Sequence, residues 1–265
     1  TLEADLRKAI EREELELYYQ PQVDGQSGKL VGLEALLRWN HPKKGLLNPF
    51  SFIHIAEETG LIVPIGEWVL QSATHQLDHW VELFDTDLKL GVNVSGIQLR
   101  QDQFFDVARN VIANRRSQRG TVVLELTESS IMTTTQDRVS WLRELQEMGA
   151  KIAVDDFGTG YSSLKRIKTM PVDNLKIDKC FVDNITTSKE DQSLVNIMLN
   201  IAQTFDVDVI AEGIETPEQC QALLGLGVVN NQGYLHSKPL PAEAFEKFIC
   251  DYKTTNKGLV CLLNH

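Results

Sequence analysis

At 265 residues, with 42% hydrophobic and 24% charged side chains, the chain has the size and composition of one globular domain with a sizeable core. No apolar run approaches the ~18–20 residues of a membrane-spanning helix. A net charge of −11 argues against a nucleic-acid polymer or an anionic membrane surface as the main partner, although bound cations can still invert the local field for a small anionic ligand.

Residues 15–23 alternate apolar and polar positions as a strand does, and a turn at Asp24-Gly25 leads into a second strand over 29–37. Two strands joined by a short polar turn read as a hairpin, so the first is expected to run antiparallel to its neighbour. Helical stretches follow over 49–58 and about 64–83. The rhythm then becomes regular: strand 89–94 before helix 104–115, strand 121–126 before helix 137–148, and strand 151–155 before a helix from about 162. Strand 174–177 precedes helix 191–205, strand 207–211 precedes helix 217–225, and strand 228–232 precedes a last helix near 241–250.

Runs such as 89–94, 121–126 and 207–211 are apolar on both faces, as in a parallel sheet covered by helices. The expectation is an α/β fold, a (β/α)8 TIM-type barrel modified by one antiparallel strand. The domain is drawn as residues 1–250, with 251–265 a C-terminal tail. Because the chain opens on Thr1 rather than Met, we expect it to be part of a longer polypeptide carrying regulatory domains. Cys180, Cys220, Cys250 and Cys261 are scattered without a C-x-x-C pair, which fits reduced thiols in a cytosolic compartment better than a disulfide framework or a zinc site.

Six strands finish on polar groups instead of turn residues: Glu34, Asn93, Glu125, Asp155-Asp156, Lys176 and Glu212. In a barrel of this kind strand C-termini converge on one rim, where the chemistry sits. Adjacent carboxylates at Asp155-Asp156 suit two cations bridged by the first residue, the usual arrangement for in-line displacement at phosphorus. Oxygen-rich donors select Mg²⁺ or Mn²⁺ over softer metals. Two carboxylates 4 Å apart repel by ~4 kcal/mol at an effective dielectric of 20, so converging acids need counter-charge. Lys176 is the only cation of the set. It is suited to orienting an attacking water, binding a phosphate, forming a structural ion pair or, as in barrel aldolases, forming a Schiff base.

Gly158-Thr159-Gly160 lacks the third glycine of a dinucleotide fingerprint, Ser163 standing there, and reads as a flexible loop beside metal ligands. His75 and His79 sit four apart without the glutamate of a zinc-protease helix and read as helix surface.

Glu34-Ala35-Leu36, within LEALLRW, resembles the signature after which EAL domains are named. The resemblance continues in order through YYQP (18–21), FIHIAEETGLI (52–62), NVS (93–95), ELTES (125–129), DDFGTGYSSL (155–164), PVDNLKID (171–178), AEGIET (211–216) and QGY (232–234). It implies a metal-dependent phosphodiesterase that hydrolyses cyclic di-GMP, a bacterial second messenger, to linear 5′-pGpG with two Mg²⁺ or Mn²⁺ ions. By the same resemblance Glu34, Asn93, Glu125 and Asp155 hold one ion, and Asp155 with Asp156 the other. Lys176 contacts the nucleophilic water and Glu212 serves as base or further ligand.

Arg38 would then bind substrate phosphate, with Gln20, Asp178, Glu215 and Gln232 lining or supporting the pocket. Glu128 would brace the DDFGTG loop, which the family places at a homodimer interface. The family's aspartate is replaced by Val229, and its aromatic by His236. The alternative is a catalytically weak receptor that binds cyclic di-GMP. Intact metal-ligand positions and an intact loop speak for the hydrolase. A cytoplasmic location is expected in either case.

Overall fold

In the computed structural model, which describes residues 2–160 and 164–254, the opening runs form the expected antiparallel hairpin. It consists of β1 (Leu15–Asp24) and β2 (Leu30–His41). The turn between them is set by Asp24, whose Oδ1 accepts from the N–H groups of Gln26 (3.0 Å) and Ser27 (2.7 Å). The remaining strands are β3 (Gly45–Leu47), β4 (Lys89–Val94), β5 (Thr121–Thr127), β6 (Lys151–Phe157), β7 (Asn174–Ile177), β8 (Asp208–Ala211), β9 (Asn230–Gln232) and β10 (Leu240–Pro241).

From β2 through β4, β5, β6, β7 and β8 to β9 every pairing is parallel. β1 closes the ring, antiparallel to both β2 and β9. The result is an eight-stranded barrel with one antiparallel strand, extended at its edges by β3 on β2 and β10 on β1. The chain thus has the α/β barrel architecture that the alternation of elements implied.

Helices cover the barrel where the sequence places apolar stripes. Ile62–Leu83 buries Ile65, Val69, Ala73, Leu77 and Trp80 along one side. Trp80 meets Tyr19 of β1 edge-on at 4.6 Å, and Phe245 of the last described helix at 5.0 Å, so that helix is fastened beside β1. Capping fixes several boundaries. Thr216 and Gln219 form a capping box with Pro217 at the first turn of Pro217–Leu226, and Gly227 ends that helix at φ 102°. Among the described residues no helix is long and apolar enough to cross a membrane.

Several expectations are corrected. β2 does not finish at Glu34 or Leu37 but runs to His41, because its hairpin pairing with β1 continues through Trp39 after the parallel ladder to β4 has ended at Ala35. Short helices Leu2–Leu6, Gly96–Leu99, Glu128–Thr133 and Lys179–Val182 are additional. The helix expected from about 162 is described as Leu164–Thr169, its earlier residues lying outside the described ones. The last helix, expected near 241–250, is Ala242–Thr254, and residues 255–265 lie outside the described residues. Cys180 carries a free thiol as expected, and Cys261 lies outside the described residues.

Candidate active site

Side chains of a barrel strand alternate between interior and exterior, so register decides which polar groups meet. Gln20 of β1 stands opposite Glu34 of β2, which stands opposite Gly91 of β4. Two residues further along β4, Asn93 aligns with Glu125 of β5 and through it with Ala153 of β6. Asp155 follows on β6, Lys176 lies on β7, and Glu212 immediately follows β8. Gly91 provides the space: a Cβ there would overlap the Glu125 carboxylate.

These groups converge on the Lys176 ammonium, which is fully buried at 0% exposure. Its Nζ lies 2.6 Å from Glu125 Oε2, 2.6 Å from Glu212 Oε1, 3.3 Å from Asp155 Oδ1 and 3.4 Å from Glu34 Oε2. Asn93 Nδ2 donates to Glu34 Oε1 at 2.6 Å, and Gln232 Nε2 donates to Glu34 Oε2 at 2.6 Å. One ammonium therefore faces four carboxylates, with Asp156 next in the chain.

The imbalance is written into the proton affinities. Burial pushes Glu125 well above the ordinary carboxyl value; Lys176 offsets this only in part, because Glu34, Asp155 and Glu212 add repulsion. Burial likewise carries Glu212 up to about 8, and burial with the neighbouring Asp155 raises Asp156. Glu34 goes the other way. Burial would raise it, but the Lys176 charge and donors from Gln232 and Asn93 outweigh burial and hold it low. Lys176 is desolvated, yet the carboxylates raise it well above its ordinary value.

A cluster so short of positive charge fits divalent cations, and its donors are the right kind: carboxylate oxygens and one amide, without sulfur or imidazole. Among the described residues no group of three or more His, Cys, Asp or Glu side chains is already spread around an ion position. The carboxylates close on the ammonium instead.

The end of β6 that carries Asp155 and Asp156 is shaped by a register shift between Val154 and Phe157, where β6 breaks pairing with β7. Asp156 adopts φ 54°, a left-handed conformation uncommon outside glycine, and its N–H donates to Asp155 Oδ1 at 3.0 Å. Glu128, buried at the first turn of Glu128–Thr133, accepts from the Gly158 N–H at 2.9 Å. Gly158 itself (φ 95°) is pressed against Phe181 and Met198, where a Cβ would collide. Residues 161–163 of the motif lie outside the described residues.

The remaining expected residues divide in two. Gln20 and Gln232 join the cluster, Gln232 Nε2 lying 3.2 Å from Gln20 Oε1. Arg38 is buried close by; it donates to the Leu37 carbonyl at 2.8 Å, and its guanidinium carbon lies 5.2 Å from the centroid of the Tyr18 ring. Asp178 instead caps Lys179–Val182, accepting from the Cys180 N–H at 2.9 Å. Glu215 is exposed and accepts from Lys179 Nζ at 2.7 Å, away from the ammonium-centred cluster.

Two groups escaped the sequence reading. Ser95 Oγ donates to Glu57 Oε1 at 2.5 Å, fixing the turn just after Asn93. Gln22 Nε2 donates to Gln232 Oε1 at 2.9 Å. The signal for Gln22 was available: it lies two residues from Gln20 in a strand of period two, a polar residue within a buried run.

The model of the EAL domain family matches residues 3–239. The bifunctional diguanylate cyclase/cyclic di-GMP phosphodiesterase MucR of Pseudomonas aeruginosa is 41% identical over 239 residues, covering 90% of this chain and 35% of that protein. The cyclic di-GMP phosphodiesterase PdeR of Escherichia coli is 38% identical over 251 residues, covering 95% of this chain and 38% of that protein. The chain thus spans little more than a third of the length of either relative. Among solved structures, PaMucR phosphodiesterase in its c-di-GMP complex superposes with a TM-score of 0.86 at 40% identity, covering 91% of this chain and 98% of that one.

Proposed function

This chain belongs to the EAL domain family, and from that membership we propose that it hydrolyses cyclic di-GMP to linear 5′-pGpG with the help of two Mg²⁺ or Mn²⁺ ions. The observation that carries the reading is the meeting of four carboxylates within 3.4 Å of one buried ammonium, a charge deficit the protein does not itself correct. Divalent cations, when bound, polarise the phosphoryl oxygens and lower the pKa of the attacking water.

Glu34, Asn93, Glu125 and Asp155 are assigned to one ion, and Asp155 with Asp156 to the second. Lys176, rooted in β7, keeps its ammonium among these groups and orients the water toward phosphorus. Glu212 is assigned to accept that water's proton in its ionised form, which bound cations would favour over the protonated carboxyl that burial favours without them. The new O–P bond forms as the P–O3′ bond breaks, and the proton ends on the departing 3′ oxygen. Arg38 supplies charge to a phosphate, Gln20 and Gln232 support Glu34, and Asp178 and Glu215 stand further out on the pocket wall. Glu128 holds the loop that aims Asp156.

The same proposal includes a homodimer formed beside that loop, a domain drawn as residues 1–250, regulatory domains elsewhere in a longer polypeptide, and a cytoplasmic setting. The test is incubation with cyclic di-GMP and Mg²⁺, with and without chelator, followed by chromatographic identification of product. Linear 5′-pGpG formed only without chelator supports the reading. Tight binding without any product would replace it with the receptor alternative.

A further inference from the structure

The barrel interior holds a run of glutamine amides whose orientations are fixed from both ends. Ser237 offers a backbone carbonyl, which can only accept, so Gln20 turns its Nε2 to it at 3.2 Å and presents Oε1 inward. Glu34 is a carboxylate facing an ammonium and already accepts from Asn93, so Gln232 must give it Nε2, at 2.6 Å. The same amino group reaches Gln20 Oε1 at 3.2 Å. Gln232 Oε1 is left pointing toward β1, where Gln22 Nε2 donates to it at 2.9 Å.

The backbone prepares this contact. Gln22 stands in register with Gln232 on β9 and with Gly32 on β2. A Cβ at Gly32 would lie 2.7 Å from Gln22 Oε1, so the glycine leaves room for the Gln22 amide. Both glutamines are only 4% exposed, and water cannot readily take over the hydrogen bond between them.

We propose that Gln22 is a positioning residue: by donating to Gln232 Oε1 it keeps the Gln232 amino group on Glu34, and so restricts the orientation of a carboxylate assigned to hold a cation. The inference rests on the cation-dependent reading of the site. Gln22 donates to Gln232 rather than to an assigned cation ligand, and so acts through one amide. Its polarity therefore matters, which would not be so for a residue that merely fills space. Gln22→Met removes the donor and leaves Gln232 with its other partners. Gln22→Glu replaces the donor with an acceptor, so the Gln232 amide must turn its amino group to the new carboxylate and its carbonyl to Glu34, where two acceptors repel.

The experiment measures Mn²⁺ affinity by calorimetry without nucleotide, together with cyclic di-GMP turnover and thermal melting, on the whole chain as wild type, Gln22→Met and Gln22→Glu. Gln22→Met is expected to weaken Mn²⁺ binding about fivefold, the equivalent of one neutral hydrogen bond. Gln22→Glu is expected to weaken it ~10–100-fold, the range for lost supports of metal ligands. Should Gln22→Glu not fold, the loss in Gln22→Met decides alone. Wild-type affinity in the variants, or equal losses in the two, overturns the positioning role while a cleaving, Mn²⁺-binding wild type leaves the functional reading standing. A wild type that neither binds Mn²⁺ nor cleaves overturns both.

Discussion

Lys176 decides the behaviour of the site in the absence of ions. Removing a buried charge from among opposite charges leaves the partners uncompensated, so Lys176→Met should cost about 3–5 kcal/mol in chelator at neutral pH. The loss should shrink in acid, where the carboxylates protonate, and chemical denaturation at two pH values would show it. Glu212 sets a second pH dependence. Its folded-state pKa is raised from 4.5 to about 8, so between those values the folded protein retains a proton that the unfolded chain has released. Stability from this group is full below 4.5 and is lost as pH rises through about 8. Glu125 and Asp156, also raised, act in the same sense; the stability from the lowered Glu34 is full above 4.5 and lost in acid below it, and that from the raised Lys176 is full below 10.5 and lost above it. Saturating Mg²⁺ favours the ionised carboxylates, so the melting-temperature gap between Mg²⁺ and chelator should widen with pH across that window. A gap that stays constant would contradict the coupling.

At the scale of elements, the segment after β6 is tied to Glu128 through the Gly158 N–H. Glu128→Ala should lower turnover with little loss of thermal stability and should loosen any homodimer formed beside the loop; kinetics and sedimentation of one variant check both. Wild-type turnover with unchanged self-association would leave Glu128 a simple helix-end carboxylate. Gly91→Ala belongs here too, because the Glu125 carboxylate occupies the space a Cβ would need. Forcing one in should destabilise by ~1–3 kcal/mol and reduce turnover, read by melting and kinetics. Long elements were legible because their apolar periodicity or two-sided burial is local, as in Ile62–Leu83 and Lys89–Val94. The single-turn helices Gly96–Leu99, Glu128–Thr133 and Lys179–Val182 were not. They are specified by their caps Ser95, Thr127 and Asp178, each following a strand, and have no periodicity to detect.

At the scale of the whole molecule, the polar strand ends announced a common site, and Glu34, Asn93, Glu125, Asp155, Lys176 and Glu212 do lie together. What local sequence could not give is the effect of ring closure. β1 meets β9 only when the barrel shuts, and that register sets Gln232 between Glu34 and the amides of Gln20 and Gln22. Nor could strand-end logic separate Glu215, exposed with Lys179, from Glu212 in the cluster three residues earlier. The assembled oxygen site also constrains ion choice. Ca²⁺, larger and tolerant of looser geometry, should permit substrate binding but stall turnover that Mg²⁺ and Mn²⁺ support, a difference that parallel binding and turnover assays would show. The central claim, cation-dependent cleavage at the carboxylates around Lys176, is tested most directly by following 5′-pGpG formation against Mg²⁺ concentration for wild type and Glu34→Ala together. Saturable Mg²⁺ dependence in the wild type and no product from a variant that melts like it is the predicted result. Chelator-insensitive product formation, or substantial turnover by Glu34→Ala, would contradict it.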